Sequence, residues 1–130
     1  MMIADSDVLI DFLRGRDPWR ERVALELETG RLATTAINSF ELLSGARRSS
    51  ERAKVTLLLE AMSVLPVTSA ASEHAAAARQ ALEERGEGIG MADYLIAGVC
   101  LAHRGTLLTR NREHFGRIPG LRISGRMIED

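Results

Sequence analysis

The sequence predicts an α/β fold: a three-layer α/β/α sandwich on a mostly parallel sheet of four to five strands. Three observations lead there. Short apolar runs at residues 2–4, 31–34, 64–67 and 106–109 are separated by long stretches of helical periodicity. The cleanest runs, Met2-Ile3-Ala4 and Thr106-Leu107-Leu108-Thr109, lack the alternation of a half-solvated strand and read as strands buried on both faces. The intervening helical stretches have the length that a crossover between parallel strands requires. With 130 residues and no linker, internal repeat or low-complexity segment, the chain is expected to form one domain spanning residues 1–130.

Each element has its local reason. After the first strand, Val8, Leu9, Phe12 and Leu13 mark one face of a helix, with Ser6 or Asp7 available as N-cap and Gly15 at its end. Pro18 suits the first turn of a second helix, in which Trp19, Val23, Leu25 and Leu27 supply apolar material until Gly30 stops it. A weakly signalled strand at 31–34 precedes a third helix, 36–47, capped by Thr35. Its stripe is either Ile37, Phe40, Glu41 and Ser44, which would bury a carboxylate, or Leu42, Leu43 and Ala46, which would leave Glu41 on the flank. Ser49 or Ser50 begins a fourth helix through Val55, Leu58, Leu59 and Met62. Pro66 then marks the strand at 64–67 as short or at an edge. An alanine-rich helix at 69–85 ends at Gly86, and the glycine-rich 86–90 is a turn, lacking the lysine and hydroxyl of a phosphate-cradling loop. Residues 91–104 form the most hydrophobic and therefore the central helix, followed by the strand at 106–109 and a short last strand at 121–123, so that the chain is expected to close on two successive strands.

Composition excludes several classes. The single cysteine, Cys100, rules out an intramolecular disulfide framework, fits a reducing compartment and reads as a core thiol among apolar neighbours. The acidic N-terminus has no basic region before an apolar run, and no apolar stretch reaches the ~18 residues of a membrane span, so a cytoplasmic protein without a membrane segment is expected. Net charge is only −1, but residues 104–126 hold six arginines (104, 110, 112, 117, 122 and 126) against the one acid Glu113, a local charge of +5. That is the footprint phosphate or an acidic partner would use, unless it is simply a solvated face. Aromatics make up 4%, so base stacking cannot dominate any nucleic-acid contact.

Chemistry is expected at one edge of the sheet. Asp5 falls at the carboxyl end of the first strand, where parallel α/β sheets bind ligands, although it could serve only as a helix cap. Crossover helices run antiparallel to their strands, which brings Asp93, in the first turn of the central helix, and Asn111, just past the strand at 106–109, to the same edge. Glu41 lies on a helix that starts there. Carboxylates held that close repel unless a cation sits between them, and all-oxygen donors select Mg²⁺ or Mn²⁺ rather than zinc. His74, His103 and His114 lack zinc-ligand spacing and read as surface or structural residues.

The blocks IADSDVLIDFLRG, TTAINSFELLSGA, MADYLIAGVCLAHRG and LLTRNREHFGRIPGLRI, in that order and covering nearly the whole chain, resemble PIN-domain ribonucleases of the VapC type, the toxins of type II toxin–antitoxin pairs. The resemblance implies that Asp5, Glu41 and Asp93 are metal-binding acids and that Asn111 is the fourth position, with Thr109 a hydroxyl near the site. Asp7 stands where that family usually has Asn, and Glu113 could replace or assist Asn111. It implies further a Mg²⁺-dependent endoribonuclease, Mn²⁺ able to substitute, that cleaves RNA phosphodiester bonds, forms a homodimer and is silenced by a cognate antitoxin; Arg110 and Arg112 would contact RNA or antitoxin. Alternatives are a housekeeping RNA-processing nuclease of the same fold and a catalytically silent PIN-like binding module. A phosphoacceptor receiver domain also clusters acids around Mg²⁺, but it needs a lysine after a late strand, and the sole lysine, Lys54, lies in a helical stretch.

Overall fold

The computed structural model describes residues 1–124, so Arg126 of the arginine-rich stretch lies outside the described residues. Strand β1 (Met2–Ala4) is the centre of a five-stranded, wholly parallel sheet. It pairs with β2 (Leu32–Thr35) on one side and β4 (Thr106–Leu108) on the other, Ala4 standing opposite both Thr34 and Leu108. Strands β3 (Ser63–Leu65) and β5 (Arg122–Ser124) complete the order β3-β2-β1-β4-β5. β3 is the short edge strand that Pro66 signals, and Pro66 lies just beyond it.

Alternation along the strands divides the core into two layers. Ile3, Ala33, Leu65 and Leu107 face one cluster, built with α5 (Ser69–Glu84) and α6 (Met91–His103). Ala4, Leu32 and Leu108 face the other, with α1 (Ser6–Leu13), α2 (Trp19–Glu28), α3 (Ala36–Gly45) and α4 (Ser49–Glu60). This is the expected three-layer sandwich. The alanine face of α5, Ala71, Ala75 and Ala78, lets α6 approach so closely that a Cβ on Gly98 would lie 2.3 Å from the Ala71 carbonyl oxygen. Cys100, on α6, is fully buried, and burial pushes its thiol up to about 12, as befits a core thiol. Among the described residues no helix is long and apolar enough to cross a membrane.

Three local expectations need correction. The chain does not close on two successive strands: Asn111 caps one further turn, α7 (Arg112–Phe115), anchored by the fully buried Phe115, and this turn is part of the crossover that makes β5 parallel to β4. On α2 the buried face is Trp19, Arg22, Val23 and Glu26 rather than one including Leu25, which is exposed. The Glu26 carboxylate meets Arg22 and Arg31, each at 3.0 Å, tying the helix to the approach to β2 and meeting the condition for burying a charge. On α3 the second of the two stripes, Leu42, Leu43 and Ala46, holds except at Leu43, which is exposed, and the stripe Ile37, Phe40, Glu41 and Ser44 is not the buried face. Asn38 and Leu42 go inward with Ala46 beyond the helix, Phe40 is 69% exposed, and Glu41 stands on the flank.

Candidate metal centre

The strand order reverses direction at β1, because the chain leaves it toward β2 and returns to its other side as β4. Such a switch point opens a crevice at the carboxyl ends of the two strands. Asp5 follows β1 there and Thr109 follows β4. Asp5 is itself the N-cap of α1, accepting from the Ser6 backbone N–H at 2.8 Å, while Ser6 and Asp7 lie inside the helix. Capping and membership of the cluster are thus combined in one carboxylate. Its Oδ1 also accepts from Asn38 Nδ2 at 2.9 Å, and its Oδ2 from the Thr109 hydroxyl at 2.7 Å.

Glu41 joins this group from α3. Its Oε1 accepts from Ser6 Oγ at 2.6 Å and from Asn38 Nδ2 at 3.4 Å. Asp7 reaches the other way: its Oδ2 accepts from the Arg110 backbone N–H at 3.1 Å and from Thr109 Oγ1 at 3.4 Å, whereas its buried Oδ1 has no hydrogen-bond partner. Burial, the neighbouring Asp7 charge and Glu41 push the Asp5 carboxyl up to about 6 against the opposing Thr109 and Ser6 hydrogen bonds. Burial also raises Asp7, opposed first by the Arg110 backbone N–H.

Asp93 and Asn111 meet at a residue that sequence reasoning set aside. His114 Nδ1 lies 3.3 Å from Asp93 Oδ2 and 3.2 Å from Asn111 Nδ2. That nitrogen serves its two neighbours one at a time: protonated it donates to Asp93, and bare it accepts from the Asn111 amide. Asp93 stands in the first turn of α6 but does not cap it, since the N-cap is Gly90 without a side-chain bond. The Asn111 backbone N–H donates to Thr109 Oγ1 at 3.0 Å, which links this pair to Asp5. Glu113 is 82% exposed and pairs with Arg117 at 3.4 Å, and Arg110 Nε lies 3.4 Å from Asp11 Oδ2.

Asn38, Ser6 and His114 are the residues of the cluster that sequence reasoning missed. Asn38 carried a usable signal, standing three residues after the cap Thr35 and three before Glu41, so that it shares a face with both. His114 carried one only through α7, which a four-residue helix does not announce. Among the described residues, no three His, Cys, Asp or Glu side chains already stand as a set that could hold a metal ion. The carboxylates are instead engaged with donors of the protein. The donor chemistry nonetheless fits a hard divalent cation: oxygen ligands, a buried and partnerless Asp7 Oδ1, and an Asp5 whose ionisation is opposed first by burial and then by the neighbouring Asp7 and Glu41 charges.

A family model described as PIN domain matches residues 2–121. The chain is 34% identical over 115 residues to a protein named Ribonuclease VapC10 from Mycobacterium tuberculosis, covering 88% of this chain and 86% of that one. It is 33% identical over 123 residues to tRNA(fMet)-specific endonuclease VapC from Salmonella typhimurium, covering 92% of each. Among solved structures, VapBC-1 from nontypeable Haemophilus influenzae matches with a TM-score of 0.81 at 29% identity, over 95% of this chain and 96% of that one. VapBC2 from Rickettsia felis, bound to a DNA fragment from its promoter, shares the fold with a TM-score of 0.85 at 23% identity, over the same shares.

Proposed function

The chain belongs to the PIN-domain family, and from that premise we propose that it is a Mg²⁺-dependent endoribonuclease of the VapC type, the toxin of a type II toxin–antitoxin pair. The observation that carries this reading is the hydrogen-bonded group of Asp5, Asp7, Glu41 and Thr109 at the switch point of the sheet. Asp5, Glu41 and Asp93 would hold the ion, with Asn111 as the fourth ligand and Mn²⁺ able to replace Mg²⁺. Such an ion, when bound, acidifies water and neutralises charge on a phosphate under attack.

The chain's own residues do the rest. Thr109 orients Asp5 through the 2.7 Å hydrogen bond and couples it to the loop bearing Asn111. Asp7 secures that loop by accepting from the Arg110 backbone. The exposed guanidinium groups of Arg110 and Arg112 supply charge for RNA phosphates or for acidic groups of the antitoxin. Glu113, engaged with Arg117, is left out of the ligand set. A homodimeric, single-domain protein of the cytoplasm, inhibited by a cognate antitoxin, completes the reading.

The test is direct. The purified chain is incubated with total RNA, and with initiator tRNA because one relative is named for that substrate, in Mg²⁺, in Mn²⁺ and in chelator. Cleavage in both metals and none in chelator is expected. Binding of RNA without cleavage in either metal would replace the nuclease with a silent binding module.

A further inference from the structure

We infer that Asn38 is a positioning residue whose buried amide sets the separation of the Asp5 and Glu41 carboxylates; the inference rests on the metal-site reading above. Asn38 is fully buried, and its orientation is fixed from behind. Thr35 Oγ1 accepts from the Asn38 backbone N–H at 3.2 Å, so its own proton goes to Asn38 Oδ1 at 2.7 Å. Nδ2 therefore faces the acids, 2.9 Å from Asp5 Oδ1, 3.0 Å from Ser6 Oγ and 3.4 Å from Glu41 Oε1. The flipped amide would set an oxygen against the Asp5 carboxylate. Ser6, which accepts from Asn38 and donates to Glu41, extends the same reach, so the start of α1 and the middle of α3 are stitched through one side chain.

Why an amide stands here follows from charge. A lysine or arginine would also bridge two carboxylates, but its positive charge would compete with a divalent ion for them. The amide donates two protons without net charge. It fixes where the acids are and leaves their charge for the ion.

The test measures Mn²⁺ affinity through the electron paramagnetic resonance of the free ion, beside the melting temperature in chelator, for wild type, Asn38→Ala and Asn38→Leu. Alanine favours the helix and leucine refills the volume, so the pair guards against a variant that fails to fold; whichever is folded in chelator is read. The expected result is an Mn²⁺ dissociation constant at least about tenfold weaker than wild type. A lower melting temperature with a dissociation constant within about twofold of wild type would make Asn38 merely structural and overturn the inference. If wild type binds Mn²⁺ and Asp5→Asn does not, only the inference on Asn38 has then failed. A wild type that binds no Mn²⁺ would overturn both it and the metal-site reading.

Discussion

The two halves of the crevice are built differently. On the β1–β2 side, Asp5 is buried and receives three donors, from Ser6, Asn38 and Thr109, two of them supplied by side chains that are themselves fully buried. On the β4 side, Asp93, Asn111 and His114 come from the first turn of α6 and a four-residue helix, and all three are partly exposed. The first half is preorganised by the core, while the second is arranged by local turns. A charge on the buried side is opposed by desolvation and by its neighbours. Asp93, in the first turn of α6, is partly exposed and lies 3.3 Å from His114 Nδ1. Damage to the first half should therefore change chemistry and stability together, and damage to the second chemistry almost alone.

The largest effect is expected from Asp5→Asn, which should lower RNA cleavage by about a thousandfold or more while raising the melting temperature in chelator. Asp93→Asn should also suppress cleavage severely, but its metal-free stability should fall slightly, by about 0.3–1 kcal/mol, because a first-turn acid at a helix N-terminus is favourable. Paired thermal melts and single-turnover cleavage assays distinguish the halves. A rise in melting temperature for Asp93→Asn matching that for Asp5→Asn would show that the two sides are electrostatically alike.

A third comparison uses pH. The Asp5 carboxyl is raised from 3.8 to about 6, so the fold favours its protonated form. The stability this contributes is fully present below about 4 and is lost as pH rises through about 6, by at most about 3 kcal/mol. In chelator, the gap in stability between Asp5→Asn and wild type should widen in the variant's favour from pH 4 to 7. A gap for Asp5→Asn that is flat across this range would remove burial as the cause. The smallest effect belongs to the rim: Arg112→Ala should weaken RNA binding and make its salt slope shallower by about one unit in a salt titration. An unchanged slope with weaker antitoxin binding would assign Arg112 to the partner instead.

Much of this was legible in the sequence, and the misses share a cause. Strand and helix periodicity located every long element, and Pro66 marked the edge strand, because burial on a regular lattice leaves a regular trace. What periodicity does not encode is which of two neighbouring faces turns inward. Of the two faces open on α3, the one with Leu42 and Ala46 turned inward, and between them and the sheet end stands the polar Asn38 rather than Phe40 or Leu43, since a hydrogen-bonded amide can replace apolar contact wherever its partners are already in place. Searching for carboxylates singled out Asp5, Glu41 and Asp93, and the family resemblance added Thr109, but neither pointed to the neutral Asn38 and Ser6 that hydrogen-bond to Asp5 and Glu41. α7 escaped because one turn, capped by Asn111 and pinned by Phe115, has no period to detect.

The sole thiol gives the molecule an internal clock. Cys100 lies in the core cluster that α6 shares with the sheet and α5, fully buried and held protonated well above neutral pH, so a thiol-directed reagent cannot label the closed form. Labelling has to wait until α6 parts from its neighbours. With excess reagent its rate becomes the rate of that opening, and a divalent ion or an antitoxin that binds only the closed form should slow the clock in proportion to its occupancy.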